Sequence, residues 1–309
     1  MFNRIKRTAD RILDRAASTV QGFTGEKERR ELVSGFKEVY VSYSNRISRL
    51  VERINRQIKR FNDRIENLNE YRSTTIKRNI AYLGVFLAQF GNIKAVERFA
   101  PEESIDRIEM PRKHLEAVED YIETIDWSKD DVFTKTFFKG MLGVRRETKK
   151  VNVQAAQRIE EFTMNGNRTL ELGELKFRFV KEDIRILEMY QESVEVINDT
   201  IETKIVPELQ LIQAFLQCEE IKNQVLSKRE LSVTAETDAG LLSAGLYQKH
   251  YRFVKNAFLF FVVSSKIYDT PVLTKLLTNE RHDAEREVVS NYGRIVTEQR
   301  KQLEKYRVD

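Results

Sequence analysis

The chain has 309 residues, 41% hydrophobic and 33% charged, with a mean hydropathy of -0.51. That supplies enough apolar material for a sizeable core, and too polar a balance for a chain housed within a bilayer. Only 12 Gly and 4 Pro are present, which argues against sandwiches, barrels and doubly wound sheets, and a single Cys excludes a disulfide framework or a thiolate metal site.

Residues 1–24 read as an amphipathic helix of their own, ended by the glycines at 22 and 25. At 100° per residue, Phe2, Ile5, Ala9, Ile12, Leu13, Ala16, Val20 and Phe23 share one side, and Arg4, Arg7, Arg11 and Arg15 gather on the other. The segment lacks the continuous apolar core of a secretion signal, so it is expected to stay in the mature protein. Such a helix can lie in a headgroup layer, apolar side sunk and arginines on anionic lipid. The competing reading packs the same stripe on the protein's own bundle.

Residues 31–88 contain no Pro, and their apolar residues recur at alternating steps of three and four, which predicts one very long helix. Tyr40, Ile47, Ile54, Phe61 and Leu68 form one core position of a heptad; Val51, Ile58 and Ile65 form the other. In that frame Arg46, Arg53 and Arg60 fall on one outward position, and Arg49 and Arg56 on another beside it. The seam is the expected surface for self-association or for a partner helix. The arginine stripe is the expected basic face, either a solvated surface or a surface for phosphates. The stripe belongs to a wider polarity: residues 1–100 hold 21 Lys and Arg against 11 Asp and Glu, although the whole chain carries only +5.

Residues 91–173 are expected to form a knob of shorter helices, with Phe137 and Phe138 in its core. Asn165-Gly166-Asn167 reads as a turn and residues 169–172 as a brief strand. The helical period resumes at Glu174 and runs toward Val225 with a kink at Pro207. A third long helix is expected over residues 233–268, and a fourth from Pro271 onward. The apolar run 257–263 falls far short of the ~20 residues needed to cross a bilayer and reads as buried core.

The usual catalytic constellations do not occur: no phosphate-binding glycine loop, no nucleophile elbow, no zinc-protease motif. His114, His250 and His282 all lack the Glu three residues earlier that di-iron bundles require. The cluster Glu280-Arg281-His282-Asp283-Ala284-Glu285 reads as ordinary charge mixing on an exposed helix, and Cys218 as a buried, inert thiol. No catalysis, cofactor or metal is expected. Nucleic-acid binding is disfavoured because exposed aromatics do not interleave the arginines.

The order and length of these helices resemble the layout of BAR-type membrane-curving scaffolds, and the opening MFNRIKRTADRILDRAAS is similar in style to the lipid-binding first helix of phage-shock and ESCRT-III-type proteins. The resemblance implies an all-α, elongated bundle of long kinked helices over residues 25–309, behind the terminal helix. It also implies a non-enzymatic scaffold that self-associates on an anionic membrane surface, in the cytoplasm at the inner face of a membrane, with Arg4, Arg7, Arg11 and Arg15 on phosphates and Phe2, Ile5, Ile12 and Leu13 inserted. The alternative is a coiled-coil structural subunit that binds another helical protein in a larger assembly.

Overall fold

The computed structural model describes residues 26–91, 148–232, 237–243, 247–273, 276–279 and 282–307. Residues 1–25, including Phe2, Arg4, Ile5, Arg7, Arg11, Ile12, Leu13, Arg15 and Val20, lie outside the described residues, as do residues 92–147 with Phe137 and Phe138.

The chain is all-α. Helix α1 (Glu26–Tyr71) passes through a single π-helical turn, Arg72–Ile76, into α2 (Lys77–Ala88), so the long helix expected over 31–88 is present. Strand β1 (Phe90–Gly91) follows. Helix α3 (Thr148–Thr200) likewise passes through a π turn, Ile201–Ile205, into α4 (Val206–Leu226). Then come β2 (Thr237–Asp238), a short 3-10 turn, α5 (Gln248–Asp269) and α6 (His282–Tyr306).

Several expectations are corrected here. Asn165-Gly166-Asn167 and residues 169–172 are neither turn nor strand, because α3 runs through both. The third helix begins at Gln248, since residues 237–243 form the β2 strand and the 3-10 turn. The fourth begins at His282; the stretch after Pro271 instead holds Leu273 and Leu277 at a φ of 57°. Pro207, where a kink is expected, lies directly after the π turn, inside the continuous run from α3 into α4.

Both π turns carry side-chain hydroxyls that take up backbone carbonyls near the altered register. Thr74 Oγ1 donates to the Glu70 carbonyl at 2.7 Å, and Thr203 Oγ1 donates to that of Asp199 at 2.6 Å.

The chain divides into two compact units. The first, within Met1–Arg60 and Leu115–Lys181, pairs the front of α1 with the front of α3. Phe36, Tyr43, Ile47, Leu50, Ile54 and Ile58 are buried on α1; Phe162, Leu170, Phe177 and Val180 are buried on α3. Phe162 is ringed by Phe36, Tyr40 and Tyr43, with centroids 5.6, 6.0 and 6.2 Å away. Close approach of the helices is bought by two glycines one heptad apart. A Cβ on Gly166 would lie 2.8 Å from the Tyr43 ring, and one on Gly173 would lie 2.5 Å from Leu50 Cδ2. Asn167 accepts a 2.6 Å hydrogen bond from the Tyr43 hydroxyl beside that contact.

The second unit, Phe61–His114 with Glu182–Asp309, is built from the rest. Phe61, Ile65, Leu68, Ile76, Ile80, Leu83 and Leu87 face Ile184, Leu187, Tyr190, Val194 and the side chains of α4 and α5 in one apolar interior. On α5 the run 257–263 supplies core through Ala257, Phe258, Phe260 and Phe261, whereas Leu259 is exposed, since a helix buries one face of such a run. Helix α6 contributes Val289, Val296 and Leu303, one residue per heptad. The strands β1 and β2 make a two-residue parallel pair, Phe90 opposite Thr237, closed by the Thr237 N–H donating to the Gln89 carbonyl at 2.8 Å.

Candidate functional site

Between residues 46 and 60 the chain has six Lys and Arg and one Asp or Glu. Steps of three and four place Arg46, Arg49, Arg53, Arg56 and Arg60 within about 80° of one another around α1, over roughly 20 Å of helix. All five are exposed, as the heptad frame requires for residues opposite a buried seam. The apolar face that holds α1 against α3 thereby dictates that the arginines form one outward row.

Beside the row, still within the first unit, lies an open groove with a volume of about 650 Å³. Arg46, Arg49 and Arg53 line it from α1; Glu171, Glu174 and Arg178 line it from α3; Leu50 and Leu170 are also in its lining. Arg53 Nη1 donates to Glu174 Oε1 at 3.0 Å, and its guanidinium stacks 4.3 Å from the Phe177 ring centroid. Arg46 lies 5.6 Å from the centre of the Tyr43 ring. Among the described residues, Arg49 and Arg178 have no acidic partner. Four guanidiniums against two carboxylates leave the groove net positive. The Arg53–Glu174 bridge has both side chains more than 40% exposed, so it contributes only about 0.2–1 kcal/mol.

The expected association seam lies elsewhere than on a free surface. Ile47, Ile54, Ile58, Phe61, Ile65 and Leu68 are buried within the chain, Ile54 at 2% and Phe61 at 0% exposure; Tyr40 and Val51 are partly covered. The chain itself occupies that face. Exposed apolar residues are scattered over several elements, Val85 and Met164 among them, and four are on α4: Leu211, 65% exposed, with Ile221, Val225 and Leu226 further along. No charged residue occurs between Glu208 and Glu219. Cys218 is on this outer side too, exposed rather than buried as its apolar neighbours had implied, because Leu216 and Cys218 lie 200° apart on the helix.

His282 corrects another expectation. It is buried, and its Nε2 lies 2.8 Å from Oδ1 of Asp183, a residue with no exposure at all. The other oxygen, Oδ2, accepts the Leu277 N–H at 3.1 Å. Burial pushes the Asp183 carboxyl above its ordinary range, against the pull of the Leu277 and His282 hydrogen bonds. The pair ties α3 to Leu277 and to the start of α6. A second buried polar group, Arg72 in the first π turn, donates through Nη2 to the Tyr268 carbonyl at 2.5 Å and stacks 4.7 Å from the Tyr268 ring. The sequence pattern conceals both, since each joins residues about a hundred or more positions apart.

Among the described residues, no group of three or more His, Cys, Asp or Glu could hold a metal ion, and no helix is long and apolar enough to cross a membrane. Comparison with protein-family models, with curated proteins and with solved structures finds no match.

Proposed function

We propose that the protein is a non-enzymatic, self-associating helical scaffold that binds peripherally to an anionic membrane surface, with the arginine row of α1 against lipid phosphates and the amphipathic segment 1–24 as a second anchor. The observation that carries this reading is the row itself: five exposed arginines in one line on α1, with Arg53 bridged to Glu174. A basic residue near an anionic leaflet contributes about 1 kcal/mol, and stable peripheral binding commonly combines such a patch with an apolar insertion. The sequence of residues 1–23 supplies both chemistries.

Flotation with vesicles tests it. The full chain is expected to float with phosphatidylglycerol vesicles and not with phosphatidylcholine vesicles. Replacing Arg46, Arg49 and Arg56 by Gln weakens the association by about a hundredfold, on the order of 1 kcal/mol for each charge removed. Removing residues 1–23 weakens it independently. Equal flotation of all three proteins contradicts the reading.

The outer side of α4 favours a second reading, a structural subunit that docks another helical protein. Exposed Leu211, on the uncharged stretch 209–218, and Ile221, Val225 and Leu226 beyond it give this side the apolar character of an interface centre. Light scattering that finds a monomer unchanged by Leu211→Glu or Val225→Glu, and no complex with any added helical protein, sets this second reading aside.

A further inference from the structure

The groove beside the arginine row carries a more specific consequence, which rests on the membrane reading above. Arg49 and Arg178 reach it from α1 and α3 without acidic partners, Arg46 lines it, and Arg53 is held by a carboxylate that also lines it. Glu174 therefore occupies on Arg53 the place that an oxygen of an external anion would take. We propose that this groove is a site for a headgroup bearing a phosphomonoester, and that Glu174 is an internal competitor that such a group displaces.

The chemistry separates phosphomonoesters from phosphodiesters. A diester carries one negative charge, the same as Glu174, and gains little by replacing it. A monoester carries between one and a half and two charges at neutral pH, and three acceptor oxygens. It can engage two guanidiniums in forked hydrogen bonds at once, as Lys side chains cannot. The Arg53–Glu174 bridge is solvent-exposed, so its displacement is easy for the more highly charged group and unrewarding for the other. A volume of about 650 Å³ matches a phosphorylated sugar or polyol headgroup rather than a bare ion. Phe177, stacked on Arg53, holds that guanidinium at the groove while its bridge opens.

The experiment compares vesicles of equal surface charge that present phosphatidic acid or a phosphatidylinositol phosphate with vesicles that present phosphatidylglycerol, using the full chain. Wild type is expected to bind the monoester vesicles several-fold more tightly. Glu174→Gln is expected to raise that preference further, whereas Glu161→Gln, an equal charge change on the same helix, raises binding to both vesicle types alike. The double replacement Arg49→Gln and Arg178→Gln is expected to bring monoester binding down to the diester level. Circular dichroism confirms that each variant retains its helix. Equal binding to both lipids, or identical effects of Glu174→Gln and Glu161→Gln, overturns the site and leaves the membrane reading standing. Absence of binding to every vesicle, with calorimetric binding of inositol hexakisphosphate that Glu174→Gln tightens, overturns the membrane reading and assigns the same site to a soluble phosphate. Absence of both overturns both.

Discussion

Asp183 joins three parts of the second unit: its own helix α3, the loop residue Leu277 and the first residue of α6, His282. Leu277 sits in the left-handed region at a φ of 57°, a conformation costly for a residue with a branched side chain. The carboxylate offsets that strain by accepting its N–H. Asp183→Ala removes the acceptor of the buried Leu277 N–H and the contact to His282 Nε2, which costs about 1–3 kcal/mol. Asp183→Asn keeps an acceptor for Leu277 and costs less. Urea denaturation of the two variants checks the order, and a smaller loss for Ala than for Asn contradicts it. A second residue sets an alkaline limit. Burial pushes the Tyr190 hydroxyl up to about 12, whereas an exposed tyrosine in the unfolded chain ionises near 10. In that window the unfolded chain gives up its proton first, so stability present below pH 10 falls as pH rises, by about 1.4 kcal/mol for each pH unit. Tyr190→Phe is expected to flatten this alkaline decline in denaturation midpoints taken between pH 9 and 11. An unchanged slope contradicts the assignment.

At the scale of elements, the long helices were legible because burial imposes the step of three and four. Six of the eight seam residues on α1 are buried, and the neighbouring arginines are exposed. The same seam was illegible as an internal contact, since a heptad pattern does not say which helix covers it. Asn165-Gly166-Asn167 misled for a related reason. Gly ordinarily marks a turn, but on α3 Gly166 and Gly173 serve as the shallow places into which Tyr43 and Leu50 fit. Counted as core, they complete the series Phe162, Gly166, Leu170, Gly173, Phe177, Val180. Gly166→Ala therefore forces a rigid ring aside and costs about 1–3 kcal/mol by overpacking, more than the ~1 kcal/mol that alanine gains in a helix. Gly173→Ala meets only the end of a leucine side chain and is expected to be close to neutral. Thermal unfolding of the two variants checks the difference; a stabilised Gly166→Ala protein contradicts it.

For the whole molecule, the charge asymmetry read from residues 1–100 takes physical form in the arginine row, which packing leaves exposed along one side of α1. The glutamate that bridges Arg53 could not be read from the sequence, because residues 53 and 174 are 121 positions apart. Electrostatic binding by an exposed row is screened over about 8 Å at physiological ionic strength. The most direct measurement is therefore the partition of the full chain onto phosphatidylglycerol vesicles as salt is raised from 50 to about 500 mM, for wild type and for the protein with Arg46, Arg49 and Arg56 replaced by Gln. Tight binding at low salt, a steep decline for wild type and a shallower decline for the variant are expected. Salt-independent binding, or the same slope for both proteins, would contradict electrostatic binding by the row.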